Sequence, residues 1–228
     1  MSVYDDSFYD SLKGYSQSSA RTLIPLLVGK YKPSSIVDFG CGSGEFLEEC
    51  ERNSVETVMG LEGEWLTKNT SKHWIETADL SQPVVLQTKF DLALCLEVAE
   101  HLPQSVAKTL IKSLTDASDV IVFSAAIPGQ GGTNHINEQY PDYWAKLMLD
   151  FGFELDWDPR PTIWNDRNIA PWYRQNLLVY RKVDSKSNGP VFPKILKHPE
   201  IFLEDQNIVL RIKLTIAKIN SKIKKLHR

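Results

Sequence analysis

Two groups of residues in this chain have types and spacings suited to chemistry. The first is Asp38-Phe39-Gly40-Cys41-Gly42-Ser43-Gly44-Glu45, in which Gly40, Gly42 and Gly44 fall at alternate positions. Glycine adopts positive φ at little cost and lets a ligand approach the backbone closely. A helix opening just after the turn offers unpaired N–H groups and a positive dipole end. Asp38 stands two residues ahead of the first glycine, where a carboxylate can meet a cationic or hydroxyl-bearing ligand. The second group is Glu97-Val98-Ala99-Glu100-His101, joined by His135, Asn137 and Glu138 from the Gly- and Pro-rich stretch Ile127–Gln139. If a helical turn begins at Glu97, then Glu97, Glu100 and His101 share one face. Two carboxylates and an imidazole converging there must be paired, hydrogen-bonded or bound to a cation.

The glycine spacing separates two ligand classes. Dinucleotide sites use G-x-G-x-x-G, which rests a pyrophosphate on the helix. Here the pattern is G-x-G-x-G, and Glu45 stands where the third glycine of that fingerprint would fall. An acid there repels a pyrophosphate but suits a zwitterion. The string Val37–Gly44 resembles the first motif of class I S-adenosylmethionine (SAM)-dependent methyltransferases. That resemblance implies SAM as cofactor, bound by Asp38, Gly40, Gly42 and Gly44. It further implies that Glu62, with Gly63, grips the ribose hydroxyls; Glu62 stands where Asp is commoner. By the same resemblance Asp79 and Leu80 contact the adenine, and Glu97 points to the methionine part of SAM or to the acceptor.

Glu-x-x-Glu-His followed by His-x-x-Glu resembles a pattern in two groups. These are the small-RNA terminal 2′-O-methyltransferases and the ubiquinone-pathway O-methyltransferases. Carried over, Glu97, Glu100, His101 and His135 would bind a divalent metal. Mixed carboxylate and imidazole ligands suit Mg²⁺, Mn²⁺ or Zn²⁺. Many related enzymes carry Glu-His after the fourth strand and use no metal; there His101 is structural and His135 a plain general base. Either way His135 is the expected proton acceptor, with His101 and Glu97 orienting it. From about Phe8 to Arg181 the chain resembles bacterial or viral methyltransferases found beside glycosyltransferases. This implies O-methylation of a sugar or glycan. Trp144, Trp157, Trp164, Trp172 and Tyr173, with Asn165, Asp166, Arg167, Asn168, Arg174, Gln175 and Asn176, are candidates to stack on sugar faces and read hydroxyls. The alternatives are an RNA ribose 2′-OH, a phenolic small molecule, or a SAM-binding scaffold in a glycan-assembly complex.

These groups need a scaffold, and the apolar pattern supplies one. Candidate strands are Ser35–Phe39, Thr57–Leu61, His73–Thr77, Phe90–Leu96, Val120–Ser124, Phe153–Trp157 and Leu177–Arg181. Candidate helices are Ala20–Tyr31, Glu45–Arg52, Gly63–Thr70, Ser105–Thr115 and Glu138–Asp150. Alternation of this kind predicts an α/β, doubly wound, Rossmann-like, mainly parallel sheet with helices on both faces. Seven strands with a final antiparallel one are what the methyltransferase resemblance implies. Tyr4, Phe8, Tyr9 and Tyr15 are placed to form a lid over the cofactor.

Composition narrows the remaining classes. The chain has 228 residues with 26 basic and 29 acidic side chains. Residues 206–228 hold seven Lys or Arg and no acid, so the body ahead of them is acidic. An acidic body argues against an extensive nucleic-acid footprint. No segment approaches the roughly 20 apolar residues of a membrane span, and the acidic N-terminus does not read as a secretory signal. Cys41, Cys50 and Cys95 read as buried, reduced thiols, which fits a cytoplasmic protein. The expected organisation is a methyltransferase domain over 1–183, a linker over 184–203 and a basic amphipathic helix over 204–228. Ile212, Ile216, Ile219, Ile223 and Leu226 stripe that helix. It is a candidate for packing on its own domain, for homo-oligomer or protein contacts, or for an anionic surface.

Overall fold

A computed structural model describes residues 6–67, 71–184 and 191–201, with side chains from residue 14 onward and none at residue 67. Within these, a seven-stranded sheet runs in the order β3-β2-β1-β4-β5-β7-β6. The strands are β1 (Ser35–Phe39), β2 (Thr57–Glu62), β3 (Ile75–Thr77), β4 (Leu92–Leu96), β5 (Val120–Ser124), β6 (Phe153–Trp157) and β7 (Leu178–Lys182). The first five run parallel, and β7 runs antiparallel between β5 and β6.

The helices are α1 (Asp6–Tyr31), α2 (Glu45–Arg52), α3 (Glu64–Thr67), α4 (Ala107–Ala117), α5 (Pro141–Asp150), α6 (Arg160–Ile163) and α7 (Pro171–Asn176). Strand side chains alternate between two cores. Ile36, Leu92, Leu94 and Val122 pack with Leu23, Leu27 and Leu47 of α1 and α2. Val37, Phe39, Ala93 and Phe123 pack with Leu110, Leu114, Trp144 and Met148 of α4 and α5. Both faces are therefore apolar, which is why β4 and β5 read as unbroken apolar runs rather than alternating ones. Each fully buried Leu or Phe side chain contributes about 1.5–3 kcal/mol.

Several expectations need adjusting. α1 begins at Asp6, well before Ala20. α5 begins at Pro141 rather than Glu138, because proline suits the first helical turn and the residues before it are drawn into the loop. The anticipated helix Gly63–Thr70 is described as Glu64–Thr67, with 68–70 outside the described residues. α6 and α7 are single short turns that periodicity cannot detect. The chain divides into a unit through Leu196 and a second unit from Lys197. In the first unit Arg160 is fully buried, salt-bridged to Asp158 at 2.5 Å, and donates to the Lys194 carbonyl at 2.9 Å. In the second, the described residues 197–201 form a turn closed by the Ile201 N–H on the His198 carbonyl at 3.1 Å. The helix expected over 204–228 lies outside the described residues, as does Tyr4.

Candidate active site

The carboxyl ends of β1, β2 and β4 build the first half of the site, as expected of an open α/β sheet. Gly40, Gly42 and Gly44 have φ of 81°, 52° and 85°. A Cβ on Gly40 would lie 2.5 Å from Val98, and one on Gly44 would collide with the Trp74 ring. The turn is thus left-handed where only glycine is unstrained, and it is hemmed in by β4 and by the lead-in to β3. Lys72 braces the far side, pairing with Glu48 at 2.7 Å and donating to the Ser43 carbonyl.

Three acids surround this turn. The Gly42 N–H donates to Glu62 Oε2 at 2.9 Å, and the Gly63 N–H to Glu62 Oε1 at 2.8 Å. Burial pushes the Glu62 carboxyl up, partly countered by these bonds and by Trp65. Asp38 is buried, and burial with the neighbouring Glu62 and Glu45 raises its carboxyl to about 7. Such a group is poised for a cation, which would favour its charged form. Asp79 instead accepts from the Ser81 N–H and hydroxyl at 2.9 and 2.6 Å, which lowers its pKa. It caps its own turn at the surface, while Leu80 is buried on the α4–α5 face.

The second half differs from the expected helical face. Glu97 is left-handed, with φ 56°, a strained conformation that marks functional positions. A 3₁₀ turn then covers Ala99–His101. Glu97 therefore lies outside the turn that carries Glu100 and His101, though its carboxyl still interacts with that of Glu100. Asn176 donates to Glu97 Oε1 at 3.1 Å, and Gln130 to Oε2 at 3.1 Å. Glu100 is wholly buried; its Oε1 accepts from the Ala126 N–H at 3.1 Å, and its Oε2 has no donor among neighbouring groups. Burial and the Glu97 carboxylate push the Glu100 carboxyl well up. Burial and the nearby His135 lower His101 to about 4, leaving a neutral imidazole.

His135 meets His101 edge to face, with ring centroids 4.9 Å apart. Its Nδ1 lies 3.1 Å from Glu138 Oε1. That carboxylate also receives the Gly131 N–H on the same oxygen at 3.0 Å and the Gly129 N–H on Oε2 at 2.8 Å. A carboxylate already ringed by donors takes its third partner as a donor too, so Nδ1 carries the proton and Nε2 is left as an acceptor. Gly132 lies so close to the imidazole that a side chain there would strike it. Glu100, His101 and His135 offer ligand atoms within 4.8 Å of one another. The unpartnered Glu100 oxygen and two imidazoles fit a divalent cation; Glu97 does not join them.

Two further expectations change. Asn137 is core after all: it is buried and donates to the Ala99 carbonyl at 3.4 Å. Trp144 is packed on Phe123 in the core and is not free for an acceptor. Arg174, Gln175 and Asn176 are buried as well, so they hold the site rather than line an open pocket. Trp172 stacks edge-on with the exposed Tyr15 at 5.6 Å, and Trp157 packs on Tyr31 at 6.4 Å. Spacing placed Glu138 beside His135 but not as the hub of the loop, and it missed Gln130 as anchor, because only the positive φ of Gly129 and Gly131 turns their N–H groups inward.

Residues 13–124, just under half the chain, match the family model described as a methyltransferase domain. No curated protein matches. Among solved structures, magnesium protoporphyrin IX methyltransferase (ChlM) from Synechocystis is 17% identical, with TM-score 0.54, covering 80% of this chain and 90% of that one. The methyltransferase domain of bacterial CtHen1-C is 15% identical, with TM-score 0.54, covering 73% and 98%. DesVI from Streptomyces venezuelae is 21% identical, with TM-score 0.46, over 56% of this chain; the chain spans only 58% of DesVI, and so slight a likeness carries no argument. The sheet order and glycine turn are those of the class I methyltransferase fold. The family match over 13–124 and the shared fold are likenesses to methyltransferases.

Proposed function

We propose that this protein transfers the methyl group of SAM to a hydroxyl oxygen, and that the acceptor is a sugar or glycan. The observation that carries the oxygen acceptor is the His135–Glu138 pair, whose free Nε2 can take a proton at the ligand edge of the sheet. Asp38 holds the positive end of the donor and Glu62 its ribose, in the half built on the glycine turn. Glu97 closes the donor side. The acceptor oxygen attacks the sulfonium methyl in line. An O–C bond forms as the C–S bond breaks, S-adenosylhomocysteine departs, and the hydroxyl proton passes to His135 Nε2. The neutral His101 ring supports His135 without adding charge. In the alternative to that base role, Glu100, His101 and His135 would hold a divalent metal, with His135 Nε2 a ligand rather than the base, and the metal would lower the pKa of the acceptor hydroxyl.

Support for a sugar is narrower than the count of tryptophans suggests. Of the aromatic residues considered, Trp144 and Tyr173 are buried, while Trp157, Trp164 and Trp172 are half-buried and Trp172 stands against the exposed Tyr15. The test is incubation of the purified chain with SAM and a glycan panel, with and without chelator, read by mass spectrometry. A gain of one methylene on a glycan is expected. Methylation confined to phenols or RNA ends would replace the acceptor, and activity insensitive to chelator would remove the metal.

A further inference from the structure

We propose that Gln130 is a positioning residue that couples the donor half of the site to the loop carrying His135. The inference rests on the SAM-dependent reading above and extends it to how the two halves communicate. The Gln130 amide is held at both ends. Its oxygen accepts from Gln175 at 2.8 Å and from Asn176 at 2.9 Å. Its nitrogen donates to Glu97 Oε2 at 3.1 Å. Asn176 closes the ring by donating to both Glu97 oxygens, at 3.1 and 3.3 Å. The orientation of the Gln130 amide is thereby fixed, since its oxygen faces only donors and its nitrogen faces a carboxylate.

This small ring joins three parts of the chain. Glu97 stands beside the glycine turn, because its neighbour Val98 abuts Gly40. Gln130 lies in the loop whose Gly129 and Gly131 N–H groups fold it around Glu138 and His135. Gln175 and Asn176 come from α7 and are buried. Among the described contacts, the amide of Gln130 is the side-chain link from this loop to Glu97. A donor that settles against Glu97 therefore stiffens the loop, and a stiffened loop favours the donor by the same factor.

The test uses the full chain and S-adenosylhomocysteine as probe. Calorimetry measures its affinity, and amide hydrogen exchange follows residues 127–139 with and without it. The wild type should gain protection in that loop on binding. In Gln130→Met, affinity should stay within about threefold of wild type while the binding-induced protection disappears. A merely structural side chain would lower protection equally in both states and leave the gain intact, and that result overturns the proposal. So does a wild-type loop indifferent to the probe. If Gln130→Met fails to fold, Gln130→Glu is read in the same way, since it keeps the oxygens facing Gln175 and Asn176 and loses the donor to Glu97. A wild type that binds no S-adenosylhomocysteine at all would instead refute the methyltransferase reading.

Discussion

At the scale of single residues, burial and charge decide what each group can do. His135→Ala should lower turnover by about 10²–10⁴-fold, the range for losing a general base. Affinity for S-adenosylhomocysteine should barely change, because His135 lies outside the donor half; the rate of its release from SAM and calorimetry check the two claims. Asp38 gives a prediction with a sign. Its folded pKa, about 7, lies above its ordinary 3.8, so the folded state holds this proton longer than the unfolded chain. The stability this supplies is complete at low pH and is lost as pH rises through about 7. Asp38→Asn should therefore melt higher than wild type at pH 8 in the absence of ligand, with the gap closing towards pH 5. The same variant should bind S-adenosylhomocysteine more weakly. Equal melting temperatures at both pH values would mean that Asp38 is already neutralised in the free protein. That Asp38 stands at the glycine turn was legible from its place before Gly40. That Glu97 stays outside the Glu100, His101 and His135 group was not, since it depends on a left-handed backbone at a non-glycine residue.

At the scale of elements, two joints are open to test. Gly40 combines a left-handed φ with contact against Val98. Gly40→Ala adds backbone strain of about 1–2 kcal/mol and overpacking of about 1–3 kcal/mol. Urea unfolding should show both as a lower midpoint. Arg160 ties α6 to the stretch ending at Leu196 through the Lys194 carbonyl, and Asp158 balances its charge. Asp158→Ala leaves a wholly buried guanidinium unpaired and should cost about 3 kcal/mol by the same measurement. The elements read most accurately from sequence were those with one strong signal. β1, β5, β6 and α2 fall where apolar runs or an amphipathic stripe put them. α7 was opaque because a six-residue turn begun by Pro171 has no periodicity to show. It nevertheless supplies Asn176, which donates to Glu97, and Gln175, which donates to Gln130.

At the scale of the molecule, the site residues described belong to the unit that ends at Leu196. A chain truncated after Leu196 should keep wild-type affinity for S-adenosylhomocysteine; a marked loss by calorimetry would give the basic tail a part in donor binding. The parallel sheet was readable because its buried strands and covering helices alternate along the chain. Among the described residues no helix is long and apolar enough to cross a membrane.

The reversed direction of β7 has a consequence for how such a protein can diversify. Because β7 runs against its neighbours, its beginning rather than its end sits at the ligand edge, and this brings α7 to Glu97. Segment 13–124 holds the glycine turn and Glu62, whereas Gln130, His135, Glu138 and Asn176 all lie downstream of it. Mutation in the second half of the gene can thus rework the surroundings of His135 and Glu97 while the glycine turn stays as it is.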